Sequence, residues 1–279
     1  MWLSVKEKKT GEMDHGKRRR SEKKMGKGVL SFFNTVTGKV VLLIVILFSV
    51  FMIGSMVYEQ PLDSDSSLKA VIVDQLGSTF PSEFFIVSAT ELLEQAGYTV
   101  DYYSSDEVTV ELYRNLPTHS YKMIILRVHS AAGLLDGKCD LLLFTSEEFS
   151  NKKYLYEQLA DQIGWAGYYE GGPIYFAIRK EFVKHCMNGR LENAIVIMMG
   201  CDGYILPNMA KAFIEREAKF YIGWDGAVTA THTDQTTIQL LKHITEGNQT
   251  IKTALTETMK EIGPDPATGA KLRIYPEEE

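Results

Sequence analysis

The sequence predicts an α/β domain, a three-layer sandwich with a mostly parallel central sheet, preceded by one transmembrane helix. Three observations carry this reading. From Leu68 onward, short apolar runs alternate with segments of helical periodicity. The order strand–helix–strand–helix–strand over residues 68–128 requires crossover connections, and hence parallel neighbours. Residues 40–57, VVLLIVILFSVFMIGSMV, hold no charge in 18 positions. As a helix they would span roughly 27 Å, close to the hydrocarbon thickness of a bilayer.

The amino-terminal quarter is read first from charge. Residues 1–39 carry 11 Lys/Arg and 4 Asp/Glu, whereas the remaining 240 residues carry 19 basic and 32 acidic side chains. The run Lys17–Arg20, with Lys23, Lys24, Lys27 and Lys39, precedes the apolar stretch, and Glu59, Asp63 and Asp65 follow it. The positive-inside rule then predicts a single-pass protein with its amino terminus in the cytoplasm and its main domain outside. The apolar run is too long for a cleaved signal peptide, and Gly54–Ser55–Met56 is a poor cleavage site. The expected organisation is a basic tail over 1–39, an anchor in the lipid bilayer over 40–57, a linker over 58–67 and an α/β domain over 68–279. The linker, YEQPLDSDSS, is polar, contains Pro61 and lacks periodicity.

Within the domain, residues 68–73 (LKAVIV) form the first expected strand. Residues 82–96 place Phe85, Ala89, Leu92, Leu93 and Ala96 on one helical face, and Gly97 closes that helix. Residues 98–103 give the second strand. A helix is expected over 107–116, stopped by Pro117, and a third strand over 121–128. Strands at 139–144 and 173–178 follow, with helices at 154–163 and 179–188 and a turn at Gly171–Gly172. Regular alternation then returns: strand 194–199, helix 207–218, strand 220–224, helices 233–246 and 250–262, and a last strand at 272–275.

Composition excludes some functions. A body this acidic argues against nucleic acid as partner, since phosphate binding needs a basic surface. Three cysteines are too few for a disulfide scaffold. Either Cys139 and Cys186 bridge and Cys201 is left over, or the three are separate thiols. Asn248–Gln249–Thr250 is a glycosylation sequon, which suits an external domain.

Two segments stand out chemically. Residues 121–130, YKMIILRVHS, form an apolar run ending in His129. Residues 193–203, NAIVIMMGCDG, form another ending in Cys201. Open α/β sheets bind ligands beyond the carboxyl ends of their strands. A His and a Cys delivered there can act as base and nucleophile. An attacked carbonyl also needs N–H donors for its developing negative charge, and the Ser130 and Cys201 amides are the candidates.

A strand ending in His and a later strand ending in Cys, with a helix–strand unit after it, resemble the caspase-like cysteine peptidases. The block over 196–234, VIMMGCDGYILPNMAKAFIEREAKFYIGWDGAVTATHTD, is similar to CHAT, gingipain and separase-type domains. Ala210, Ala212 and Phe213 occupy the helix of that pattern, and Ala218, Lys219, Ile222 and Gly223 its strand. The resemblance implies His129 as general base and acid and Cys201 as nucleophile on a polypeptide substrate. It departs at Ser130, where the family usually has glycine.

Members that cleave after Arg or Lys carry an acid in the specificity pocket. Asp74 and Asp225 are the candidates here, with Trp224 as a wall. The alternatives are that Asp74 caps a loop, Asp225 begins a turn and Trp224 packs in the core. No cofactor is expected. No metal is expected either, because His232 and Asp234 lack a third ligand at a recognisable spacing. Two functions compete: a tethered cysteine peptidase, and an inactive version of the fold serving as a surface binding or sensor module. A transpeptidase that attaches surface proteins is a third.

Overall fold

The structure, a computed structural model, describes residues 68–135, 138–247 and 249–277, together with Val40, Ile44 and Phe48. In chain order the elements begin β1 (Leu68–Asp74), α1 (Glu83–Gln95), β2 (Tyr98–Tyr103), α2 (Val110–Asn115) and β3 (Met123–Arg127). A more irregular stretch follows: β4 (Ser130–Leu135), β5 (Lys138–Glu148), α3 (Leu155–Leu159), β6 (Ile163–Gly167), β7 (Ile174–Ile178) and α4 (Lys180–His185). Then come β8 (Ile195–Met198), α5 (Pro207–Glu215), β9 (Phe220–Trp224), α6 (Ala230–Glu246), α7 (Ile251–Glu261) and β10 (Leu272–Tyr275).

Six strands form one sheet in the order β2-β1-β3-β8-β9-β10. Every neighbouring pair is parallel except β9 and β10, which run antiparallel. The runs that lack polar alternation, β3 and β9, are buried along their whole length. This is the burial expected of parallel strands covered on both faces. Ile72, Ile125, Ile197 and Ile222 pack with Phe85 and Leu93 of α1, Leu240 of α6 and Ala254 of α7. The alternate residues Val71, Ile124, Val196 and Tyr221 pack with Tyr113 of α2, Phe182 of α4 and Phe213 of α5. Each such side chain contributes about 1.5–3 kcal/mol relative to its exposed state.

Strands β4, β5, β7 and β6 pair antiparallel, in that order, as a second sheet with its own small apolar cluster around Leu142, Phe144, Ala166 and Ala177. The second sheet starts where β3 stops. Only Val128 and His129 separate the two, so the candidate histidine sits in the joint between the sheets.

Several expected elements differ. Strands β4 (SAAGLL) and β6 (IGWAG) are missing from the sequence reading. Their Gly and Ala content gives no local strand signal, and pairing with β5 and β7 imposes the conformation. The helix expected over 154–163 is only α3, because Asp161 turns left-handed (φ 55°) after its last turn. The helix expected over 107–116 starts at Val110, where the Thr109 side chain accepts from the Leu112 N–H at 3.2 Å and caps a fresh amino terminus. The apolar run 40–57 lies outside the described residues except for Val40, Ile44 and Phe48, which are helical and exposed. Among the described residues no helix is long and apolar enough to cross a membrane. The tail over 1–39, the linker over 58–67 and Asn248 of the sequon also fall outside them.

Candidate active site

Strands β3 and β8 are parallel neighbours with Leu126 opposite Met198. His129 and Cys201 each lie three residues beyond that pair, at the carboxyl edge of the sheet, and both line one pocket. The two strand ends touch. A side chain at Gly200 would collide with the Val128 carbonyl oxygen and the Ser130 hydroxyl, so only glycine lets the Cys201 turn close onto β3. On the next strand Gly223 makes room for the Gly203 backbone, which a side chain there would meet at 3.0 Å. Gly200 and Gly223 therefore make room for neighbouring backbone.

A pocket of about 320 Å³ opens here, with His129, Gly200 and Cys201 in its lining. Both reactive side chains are half-buried. The His129 ring lies among Phe80, Phe144 and Tyr168, the last at 4.7 Å between centroids. Its Nε2 is 2.9 Å from the Thr79 hydroxyl. That hydroxyl also lies 3.3 Å from the Leu76 carbonyl. Burial first, and the Arg127 guanidinium second, push the imidazole down to about 4. It is therefore neutral at physiological pH and a weaker base than an ordinary imidazole. The Cys201 thiol sits on the Val228 backbone, within 3.5 Å of its carbonyl and 3.4 Å of its N–H.

The two candidate oxyanion donors fare as follows. Phe144 N–H donates to the His129 carbonyl at 2.9 Å, which makes Ser130 and Leu143 a non-hydrogen-bonded pair and turns the Ser130 amide away from β5. The Cys201 amide donates to no acceptor among the described residues. The Ser130 side chain is buried and donates to the Cys201 carbonyl. It ties the histidine strand to the cysteine turn and does not narrow the pocket.

The expected specificity residues belong elsewhere. Asp74 is buried, bound to Arg127 at 2.6 Å and to the Tyr102 hydroxyl at 3.1 Å. Asp225 accepts from the Lys271 N–H (2.7 Å) and Arg273 (2.8 Å) on β10 and does not line the pocket. Trp224 is fully buried in the core behind the pocket, its indole N–H on the Thr233 hydroxyl. The alternative raised from sequence therefore holds for Trp224, which packs in the core. His232 and Asp234 lie inside α6 and do not form a metal site; Asp234 pairs with Arg127. Among the described residues no group of three potential metal ligands occurs. Cys139, Cys186 and Cys201 are all free thiols, so the Cys139–Cys186 bridge is absent.

Residues invisible in the sequence reading complete the site. Gln75, fully buried just after β1, accepts from the His129 N–H at 2.8 Å and donates to the Tyr168 hydroxyl. Asp265 lies after α7 and is 1% exposed. Its carboxylate accepts from Thr229 N (2.9 Å) and Oγ1 (2.8 Å) and from the amides of Ala267 and Thr268. Burial alone would raise its pKa, but these donors outweigh burial and bring it to about 2. The loop it pins carries Val228, the thiol's partner.

An Asp265→Asn variant should therefore unfold at lower urea, by about 2–3 kcal/mol at pH 7. The carboxylate's contribution is present above pH 4 and lost as pH falls through 2. The gap between wild type and variant should close near pH 2, and a gap independent of pH would refute the assignment. No protein-family model matches the chain, and no curated protein does.

Proposed function

We propose that this domain is a cysteine peptidase of the caspase-like kind, tethered to a membrane through residues 40–57 and acting on polypeptides outside the cytoplasm. One observation carries the reading: two in-register parallel strands bring His129 and Cys201 to the same offset beside one pocket. A mostly parallel sheet covered on both faces is also what the family resemblance implies.

In this reading the Cys201 sulfur attacks the scissile carbonyl carbon while the neutral His129 imidazole takes the thiol proton. The carbonyl oxygen, now negative, is met by the Ser130 and Cys201 amides. His129 passes its proton to the departing amine as the C–N bond breaks, leaving a thioester. Water, deprotonated by the same imidazole, then releases the acid and restores the thiol. His129 and Cys201 do not hydrogen-bond in the resting arrangement; each has its own partner, Thr79 and Val228. Such bonds commonly form only with substrate in place.

That separation is also the observation favouring an inactive binding or sensor module, and labelling separates the two. In a Cys139→Ser, Cys186→Ser background, a fluorescent iodoacetamide should label the folded full chain at Cys201. Labelling should vanish in Cys201→Ala and slow by at least ~10-fold in His129→Ala. A folded protein whose Cys201 resists the reagent, or whose labelling ignores His129, is a binding module.

A further inference from the structure

We propose that the pocket beside Cys201 is a subsite for an apolar substrate side chain of leucine to phenylalanine size. This rests on the peptidase reading and supplies its specificity. The wall is built from Leu76, Phe80, Val128, Met199, Val228 and Ala230. Its two threonines offer nothing to a substrate. The Thr233 hydroxyl donates to the Met199 carbonyl and accepts from Trp224, and the Thr229 hydroxyl donates to Asp265.

Every nearby carboxylate but that of Asp202 already has hydrogen-bond donors of its own. Asp74 and Asp234 share Arg127, Asp225 holds Arg273, and Asp265 holds its own loop. Asp202, next to the thiol, is not among the lining residues. An arginine or aspartate side chain entering this pocket would lose its hydration and meet no Asp, Glu, Lys or Arg in its lining. An apolar one would gain by burial.

Volume fits as well. About 320 Å³ lies at the small end of ligand pockets, room for one side chain and its backbone rather than a larger ligand. A neighbouring groove of about 350 Å³ is divided from the thiol by Phe80, and its floor is the satisfied Arg127–Asp234 pair.

The test uses three peptidyl acyloxymethyl ketones identical but for leucine, arginine or aspartate next to the ketone. The Cys201 sulfur displaces the carboxylate leaving group from the methylene carbon and keeps the peptide as a thioether. On the full chain, in the same Cys139→Ser, Cys186→Ser background, the leucine reagent should label Cys201 at least ~10-fold faster than the other two. Ala230→Asp should then bring the arginine reagent up by a similar factor. Ala230 opens α6, and an acid in the first turn of a helix suits its dipole, so that variant keeps the fold.

Faster labelling by the arginine or aspartate reagent, dependent on Cys201, overturns the apolar subsite and leaves the peptidase reading standing. A preference unmoved by Ala230→Asp in folded protein overturns the placement of the subsite. No labelling by any of the three, with iodoacetamide still reaching Cys201, overturns both readings.

Discussion

Replacing Arg127 with methionine is expected to destabilise the domain by about 3–5 kcal/mol. Arg127 is fully buried at the end of β3. Its guanidinium meets Asp234 through two bonds of 2.8 and 2.9 Å, Asp74 at 2.6 Å and the Phe80 carbonyl at 2.7 Å, and it lies 5.4 Å from the Phe85 ring. Register creates half of this: Asp74 of β1 is directly opposite Arg127. Methionine fills the volume but strands two carboxylates without a cation. For a domain of this size the loss corresponds to a fall in Tm of about 10 °C. The combined variant Arg127→Met, Asp74→Asn, Asp234→Leu removes the charges together and should recover most of the stability, since a buried ion pair is worth little against an apolar replacement. Urea unfolding of the three proteins decides it. A single variant within 1 kcal/mol of wild type would mean that water reaches the network and that it does not organise the strand end.

That arginine marks the limit of what the sequence discloses. The run YKMIILRVHS is apolar enough to read as a buried strand, and the strand is where it was expected. A charge in its interior was equally visible, yet its partners come from β1 and from α6, 107 positions away. Nothing local specifies them. The same holds for Asp74: its place at a strand end was legible, but its availability depended on which cation stood on the next strand. The His129 and Cys201 positions were legible because each terminates its own apolar run. Their common offset, by contrast, is a property of the β3–β8 register, which only the folded sheet contains. Gln75, Thr79 and Asp265 carry no signal of their own in a single sequence. A short polar side chain in a turn reads as a cap or a solvated group until the group it faces is known.

The second large effect concerns His129. As the base that frees the Cys201 sulfur, its replacement by alanine should lower kcat/KM by about 10²–10⁴-fold on a peptide with an apolar side chain at the cleaved bond. A merely structural histidine would lower stability instead, so the pH profile is the sharper readout. An imidazole at its ordinary value near 6.5 would switch activity off through mild acid. Here burial and Arg127 hold it at about 4. The neutral, proton-accepting form therefore persists as pH falls, and the acid limb of kcat/KM should lie near pH 4. Folding runs with the same sign: keeping the ring neutral favours the native state above pH 6.5, and that contribution fades as pH drops through 4. Circular dichroism at each pH separates lost chemistry from lost fold. An acid limb at 6.5 in the wild type would mean that the titrating base is not this histidine.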